Sequence, residues 1–259
     1  MPSPACTCSS PAPRRRILGV RVDDLTWDDL ARAVVDAVRC GNPHQLVTIN
    51  TEMLMAARRD AALRDCVDRA YAVAADGIGL LIAARLLHRP LRMRVTGSDG
   101  LPYLCALAAR HGFRPFILGA APGVAEEAAR RLCRRFAGLV VAGTYAGSPH
   151  PEDEDEILRR VREATPDILF VAYGVPAEEK WVARNLERLG VPVAMGVGGA
   201  VDFTAGVLPR APLWLQRLGL EWLYRLYLQP WRWRRMLSLP EFLLLVLAEA
   251  LAARLRWHR

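Results

Sequence analysis

Several signatures that would assign this 259-residue chain early are missing from it. No run of about 18 residues is free of charge, which excludes a bundle of membrane-spanning helices. The six cysteines, Cys6, Cys8, Cys40, Cys66, Cys105 and Cys133, contain no C-x-x-C pair, so neither a zinc knuckle nor a dithiol redox site is indicated. Most are expected as buried thiols. The opening residues MPSPACTCSSPAPRRR lack the apolar segment of a secretory signal, so a disordered arm over 1–16 and a reducing, cytoplasmic setting are expected. There is no complete G-x-G-x-x-G, no G-x-x-x-x-G-K-[ST] and no G-x-S-x-G elbow, which disfavours dinucleotide enzymes, P-loop enzymes and α/β-hydrolases. The five histidines are isolated and no metal-ligand spacing occurs, so no metal site is expected. What is present is 52% hydrophobic residues with Gly and Pro scattered without period, the composition of a globular chain with a substantial core.

The net charge of +8 is unevenly spread. Residues 1–16 carry three Arg, residues 17–209 carry 23 basic against 24 acidic side chains, and residues 210–259 carry nine Arg against three Glu. The body is therefore neutral and the excess lies at the ends. The last fifty residues also hold Trp214, Trp222, Trp231, Trp233 and Trp257, five of the seven tryptophans. Arg and Trp interleaved with Leu-rich helix suit an anionic membrane surface. Nucleic acid is the competing partner for the charge, but the run EFLLLVLAEALAARL serves a bilayer or a helix and not a duplex, so no nucleic-acid partner is expected.

From residue 17 to about 200, short apolar runs alternate with helical stretches. Strands are predicted at 17–20, 46–49, 70–74, 92–95, 116–119, 139–143, 168–173 and 192–197, with helices beginning near Trp27, Thr51, Gly77, Gly100, Gly123, Glu152 and Ala177. The pattern is that of an α/β chain: a Rossmann-like, mostly parallel sheet with helices on both faces over 17–209. Beyond it, 210–259 reads as a C-terminal helical appendage punctuated by Pro212, Pro230 and Pro240. In such sheets ligands bind beyond the carboxyl ends of the strands, where Asn50, Asp76, Gly119, Gly174, Gly198, Gly199 and Asp202 fall.

Each of these residues has two readings. The turns Gly119–Gly123 and Gly196–Gly199 expose N–H groups suited to a phosphate, or only close tight turns. Asp76 is a general base or an N-cap. Arg94 is a planar fork for a diphosphate or one surface arginine among many. The acidic run Glu152–Glu156 reads as the first turn of a helix opposing its dipole.

Taken together, the segments TINTE (48–52), ADGIGLLIAARLL (75–87), RVTGSDGL (94–101), FILGAAPGVAEEAA (116–129), PDILFVAYGVPAEEKW (166–181), GVGGAVDFTAGVLPRAPLWLQRLGLEWLYRL (196–226) and QPWRWRR (229–235) resemble the WecG/TagA/CpsF glycosyltransferases. The resemblance covers roughly 17–235, in order. It implies inverting transfer of a hexose, of N-acetylmannosamine type or related, from a UDP-sugar donor to a lipid-diphosphate-linked sugar acceptor on undecaprenol, in building a bacterial surface polymer. It implies Asp76 as catalytic base, Arg94 at the diphosphate, and Thr48, Asn50, Gly119, Gly198, Gly199 and Asp202 around the donor. No cofactor or metal is implied. The appendage is implied to dock on the membrane and fold over the site, with Arg225, Arg232 and Arg235 at the matching positions. Where relatives commonly read P-K-Q-E, this chain has Pro176-Ala177-Glu178-Glu179. If position 178 contacts the donor sugar, Glu178 offers only acceptors and favours a neutral sugar over a uronic acid. The alternatives are a nucleotide-cofactor oxidoreductase and a non-catalytic membrane-surface module. The sequence leaves oligomeric state open.

Overall fold

A computed structural model describes residues 11–257. The chain opens on a hairpin in which β1 (Arg14–Ile17) and β2 (Val20–Asp23) pair antiparallel around Leu18 and Gly19. Both turn residues have positive φ, 49° and 81°, the backbone that two-residue hairpin turns need. The strand predicted over 17–20 is thus corrected to a turn between two strands. The arm expected through residue 16 gives way to β1 at Arg14, and residues 1–10 lie outside the described residues.

There follow α1 (Trp27–Cys40), β3 (His44–Ile49), α2 (Thr51–Arg59), α3 (Ala61–Arg69), β4 (Ala72–Ala75), α4 (Ile78–Leu86) and α5 (Gly97–His111). The second half runs β5 (Pro115–Gly119), α6 (Val124–Arg135), β6 (Gly143–Tyr145), α7 (Pro151–Ala164), β7 (Ile168–Ala172), α8 (Ala177–Leu189), β8 (Val193–Gly196) and α9 (Ala200–Ala205). Local chemistry places the boundaries. Thr26 and Asp29 form a capping box at the start of α1, and Gly41, with φ of 76°, ends it. Asp60 separates α2 from α3 and caps the latter through the Leu63 N–H. Helices α3 and α9 are additional to those expected.

The eight strands lie in the order β1-β2-β4-β3-β8-β7-β5-β6, parallel throughout except for the hairpin. Residues 92–95 form no strand. The edge of β4 is already taken by β2, with Asp23 opposite Ala74, and Arg92 commits its backbone N–H and guanidinium to Asp24. β6 occupies Gly143–Tyr145 and not 139–143, and Gly143 sits opposite Phe116, where a Cβ would lie 2.7 Å from that ring.

Strand side chains alternate between two faces. Leu46, Ala72, Phe170 and Met195 pack under α1, α5, α6 and α9. Val47, Ile49 and Val73 pack under α2, α3 and α4, and Leu118, Leu169 and Val171 under α7 and α8. Of the described cysteines, Cys66 and Cys105 are buried, Cys40 is half-buried and Cys133 is exposed, fewer buried thiols than expected.

After Arg210 the described chain is helical: α10 (Leu213–Arg217), α11 (Glu221–Leu228), a 3-10 turn (Pro230–Arg232), α12 (Trp233–Met236) and α13 (Ser238–Trp257). No described helix is long and apolar enough to cross a membrane. α13 is docked on the body: Phe242 and Val246, 5% and 1% exposed, enter the core beneath α2 and α4. Burying two such side chains contributes about 1.5–3 kcal/mol each. The exposed pairs Arg59–Glu241 and Arg89–Glu249 add about 0–1 kcal/mol each, so apolar burial dominates the docking.

Candidate active site

After β3 the chain turns toward the face covered by α2, and after β8 toward the face covered by α9. Adjacent strands whose connections depart to opposite faces open a crevice at their carboxyl ends. Beside it, beyond the ends of β3 and β4 and beneath the appendage, lies a cavity of about 350 Å³. Its polar half is lined by Asn50, Asp76, Arg94, Glu221 and Arg225, its other half by apolar side chains of α4 and α13.

β4 delivers Asp76 to this cavity, with the Asp76 N–H bonded to the Ile49 carbonyl at 2.7 Å. Asp76 does not cap α4, whose N-cap Gly77 makes no side-chain bond. Instead Oδ2 accepts the Gly97 N–H at 3.0 Å. Burial pushes the Asp76 carboxyl up to about 6; the Gly97 N–H, Arg94 and Arg225 pull it down, and Glu221 pushes it up. Such a carboxyl is ionised at neutral pH yet more basic than an exposed one, as a general base should be. Thr48 stands behind it: a Cβ on Gly97 would lie 3.1 Å from Thr48 Oγ1 and 3.7 Å from Asp76 Oδ2.

Asn50 lines the cavity and also caps α2, its Oδ1 accepting the Met53 N–H at 2.8 Å. Arg94 lines the cavity and donates from Nη2 to the Gln216 carbonyl at 3.1 Å, tying the appendage to the body. Arg210 makes a second tie, donating to Asp99 Oδ1 at 2.6 Å and to Glu221 Oε1 at 3.1 Å. Against the cost of burial, Arg210 and Thr96 hold the Asp99 carboxyl below its ordinary value. Arg225 lies over the Phe203 ring at 4.8 Å, and a Cβ on Gly199 would overlap its Nη2. Burial raises the Asp202 carboxyl while Arg225 draws it down, so one arginine joins the β8–α9 turn to the Asp76 cavity.

Four of the expected residues therefore meet at one cavity: Asn50, Asp76, Arg94 and Arg225. Gly199 and Asp202 adjoin it through Arg225, whereas Gly198 gives its N–H to Glu178. Gly119 stands at the end of β5, away from this lining, with φ of 94° and the Ala172 carbonyl 2.8 Å from where a Cβ would be. Arg232 and Arg235 fall on the 3-10 turn and α12, and their side chains lie outside what is described.

Glu178 is not among the residues lining that cavity. It is 2% exposed, and one carboxylate oxygen accepts the N–H groups of Gly174 at 2.9 Å and Gly198 at 3.1 Å. It clamps the β7–α8 and β8–α9 turns together. Burial pushes the Glu178 carboxyl above its ordinary value, and burial with the neighbouring Glu178 charge does the same to Glu179. The native state thus keeps protons that the unfolded chain has released. The stability from this pair is full below the ordinary glutamate value of 4.5 and is lost as pH rises through the folded values. Glu178→Gln keeps an acceptor for both N–H groups without the buried charge. It is expected to raise stability near pH 8 by about 1–2 kcal/mol and to flatten the pH dependence, as measured by denaturant melts.

Glu221, Gly97 and the Asp99–Arg210 link were not singled out from the sequence. Glu221 carried a signal, being four residues before Arg225 and so on the same helical face. The others depend on contacts across 21 and 111 residues. Among the described residues, no three His, Cys, Asp or Glu side chains converge to hold a metal ion.

Known proteins are similar to this chain over most of its length. An N-acetylglucosaminyldiphosphoundecaprenol N-acetyl-beta-D-mannosaminyltransferase of Bacillus subtilis (strain 168) is 35% identical over 202 residues, 78% of each chain. The enzyme of the same name from Staphylococcus aureus (strain NCTC 8325 / PS 47) is 31% identical over 229 residues, 88% of this chain and 89% of its own. The profile of the "Glycosyl transferase WecG/TagA/CpsF family" matches residues 15–256. With nearly the whole chain matched and relatives more than 30% identical over most of its length, this protein belongs to the WecG/TagA/CpsF family of glycosyltransferases.

Proposed function

We propose that the enzyme transfers a hexose, of the N-acetylmannosamine type, from a UDP-sugar to a sugar carried on a polyprenyl diphosphate, with inversion. The observation carrying this reading is Asp76, half-buried, its carboxyl pushed up to about 6 and facing the same cavity as Arg94 and Arg225. The acceptor hydroxyl oxygen attacks the anomeric carbon as its proton passes to Asp76. The bond from that carbon to the β-phosphate oxygen breaks, and UDP leaves with the electron pair. The cationic groups that share the cavity with the base stabilise that charge as it forms. The names of the relatives, which specify a diphosphoundecaprenol-linked acceptor and a mannosaminyl group, support the substrate class.

The same reading places the appendage on an anionic lipid surface. Leu213, Trp214, Trp231, Trp233, Leu244 and Leu251 are all more than half exposed, and Arg217 and Arg234 stand among them. An apolar face of this kind with interspersed arginine lies in the interfacial plane of a bilayer.

Anionic vesicles holding an N-acetylglucosaminyl-diphosphate-polyprenol, a panel of UDP-sugars and EDTA test both statements together. Product from at least one donor, with the enzyme sedimenting with the vesicles, is expected. No product from any donor while UDP still binds overturns the substrate class; enzyme left in the supernatant overturns the membrane surface.

A further inference from the structure

Resting on that reading, we infer that the apolar half of the active-site cavity is a subsite for the first isoprene units of the acceptor lipid. Ile82 and Leu86 on α4, one turn apart, face it from the body, and Leu239 and Leu243 on α13 face it from the appendage. Ile82, Leu86 and Leu243 are 49%, 38% and 50% exposed, so the wall is apolar and open to a ligand. Buried Phe242 and Val246 hold its α13 side in place.

The position of the wall selects the occupant. Asp76 and the apolar wall belong to one continuous cavity, so a molecule that fills it is polar where it meets Asp76 and hydrocarbon where it meets Ile82 and Leu243. A nucleotide-sugar has no such second half. A sugar joined through diphosphate to a prenyl chain has both, in the right order. About 350 Å³ is near the lower end for ligand sites, so beside the sugar only the first isoprene units fit. The rest of the chain has a path out: Leu243, Leu247 and Leu251 continue one ridge of α13 at intervals of one turn and are all exposed. The subsite thereby sets where the reacting hydroxyl stands, and does so independently of the bilayer.

The test uses water-soluble N-acetylglucosaminyl-diphosphate acceptors bearing methyl, two-isoprene or three-isoprene chains, without vesicles or detergent. KM is expected to fall about tenfold or more from methyl to two isoprenes, as for small apolar increments in a fitted pocket, and little further with the third. In Ile82→Glu and Leu243→Glu that advantage is expected to shrink toward onefold, while Leu255→Glu at the far end of α13 keeps it. An advantage absent in the unaltered enzyme, or undiminished in both variants, overturns the subsite. Undiminished KM ratios with a change from dimer to monomer on sedimentation assign the wall to a second copy of the chain instead. A diazirine-bearing two-isoprene diphosphate gives a readout that does not need transfer. Labelling of peptides from α4 and α13 supports the subsite even if every acceptor fails to react, which would count against the proposed reaction alone. Labelling confined to other peptides overturns it.

Discussion

Asp76→Asn is expected to lower kcat by about a thousandfold, within the range for loss of a general base. Asparagine preserves the shape and an oxygen that can accept the Gly97 N–H, so the turn after β4 and the first turn of α5 keep their connection. What is lost is the capacity to take the acceptor proton. The pH dependence follows from the same group. Its active form is the carboxylate and burial raises its pKa to about 6, so kcat/KM falls as pH drops through that value and levels off above it. Initial rates from about pH 5 to about pH 8 measure this limb. Because Arg225 and Arg94 pull the Asp76 value down, removing either moves the acid limb toward higher pH. An Asp76→Asn enzyme with an unchanged melt that retains more than about a tenth of the activity overturns the assignment of the base.

The second large effect is expected at Arg225. Arg225→Ala removes the cation shared by Asp76 and Asp202 and is expected to cost about a hundredfold in kcat, comparable to loss of one preorganised group at a developing negative charge. A companion variant separates charge from position. Gly199→Ala retains the arginine, and Gly199 has a φ of −72°, which any residue adopts, but the new Cβ takes the place of the Arg225 Nη2. Since the displaced atoms are the end of a flexible side chain, the fold is expected to persist while kcat falls about tenfold as the guanidinium swings away. Steady-state kinetics beside thermal melts check both variants. Full activity in Gly199→Ala refutes the need for that placement.

Much of the architecture was legible because it is written in short-range chemistry. Short apolar runs marked β3, β5, β7 and β8, and the start of α1 was placed near Trp27. Residues 17–20 and 92–95 misled for different reasons: the first holds the Leu18–Gly19 turn of a hairpin, which an apolar run does not reveal, and the second meets a β4 edge that β2 already pairs. For Glu178, the sequence presented a carboxylate near a glycine-rich strand end, and only the packed structure turned it inward to Gly174 and Gly198. The acidic run at Glu152–Glu156 kept its plain reading: it opens α7, where Glu154 and Glu156 pair with nearby arginines.

By itself the sequence determined the α/β alternation, the neutral body with its charge at the ends, and Asp76 at the end of a strand, since period, composition and strand termini are local properties. Tertiary structure alone decided what Asp76 faces. Arg94 meets the Gln216 carbonyl across 122 residues and Arg210 meets Asp99 across 111, bringing Glu221, Arg225 and the apolar wall of α13 over one carboxylate. No local pattern encodes such pairings, because they follow from how the layers bury their apolar faces against one another.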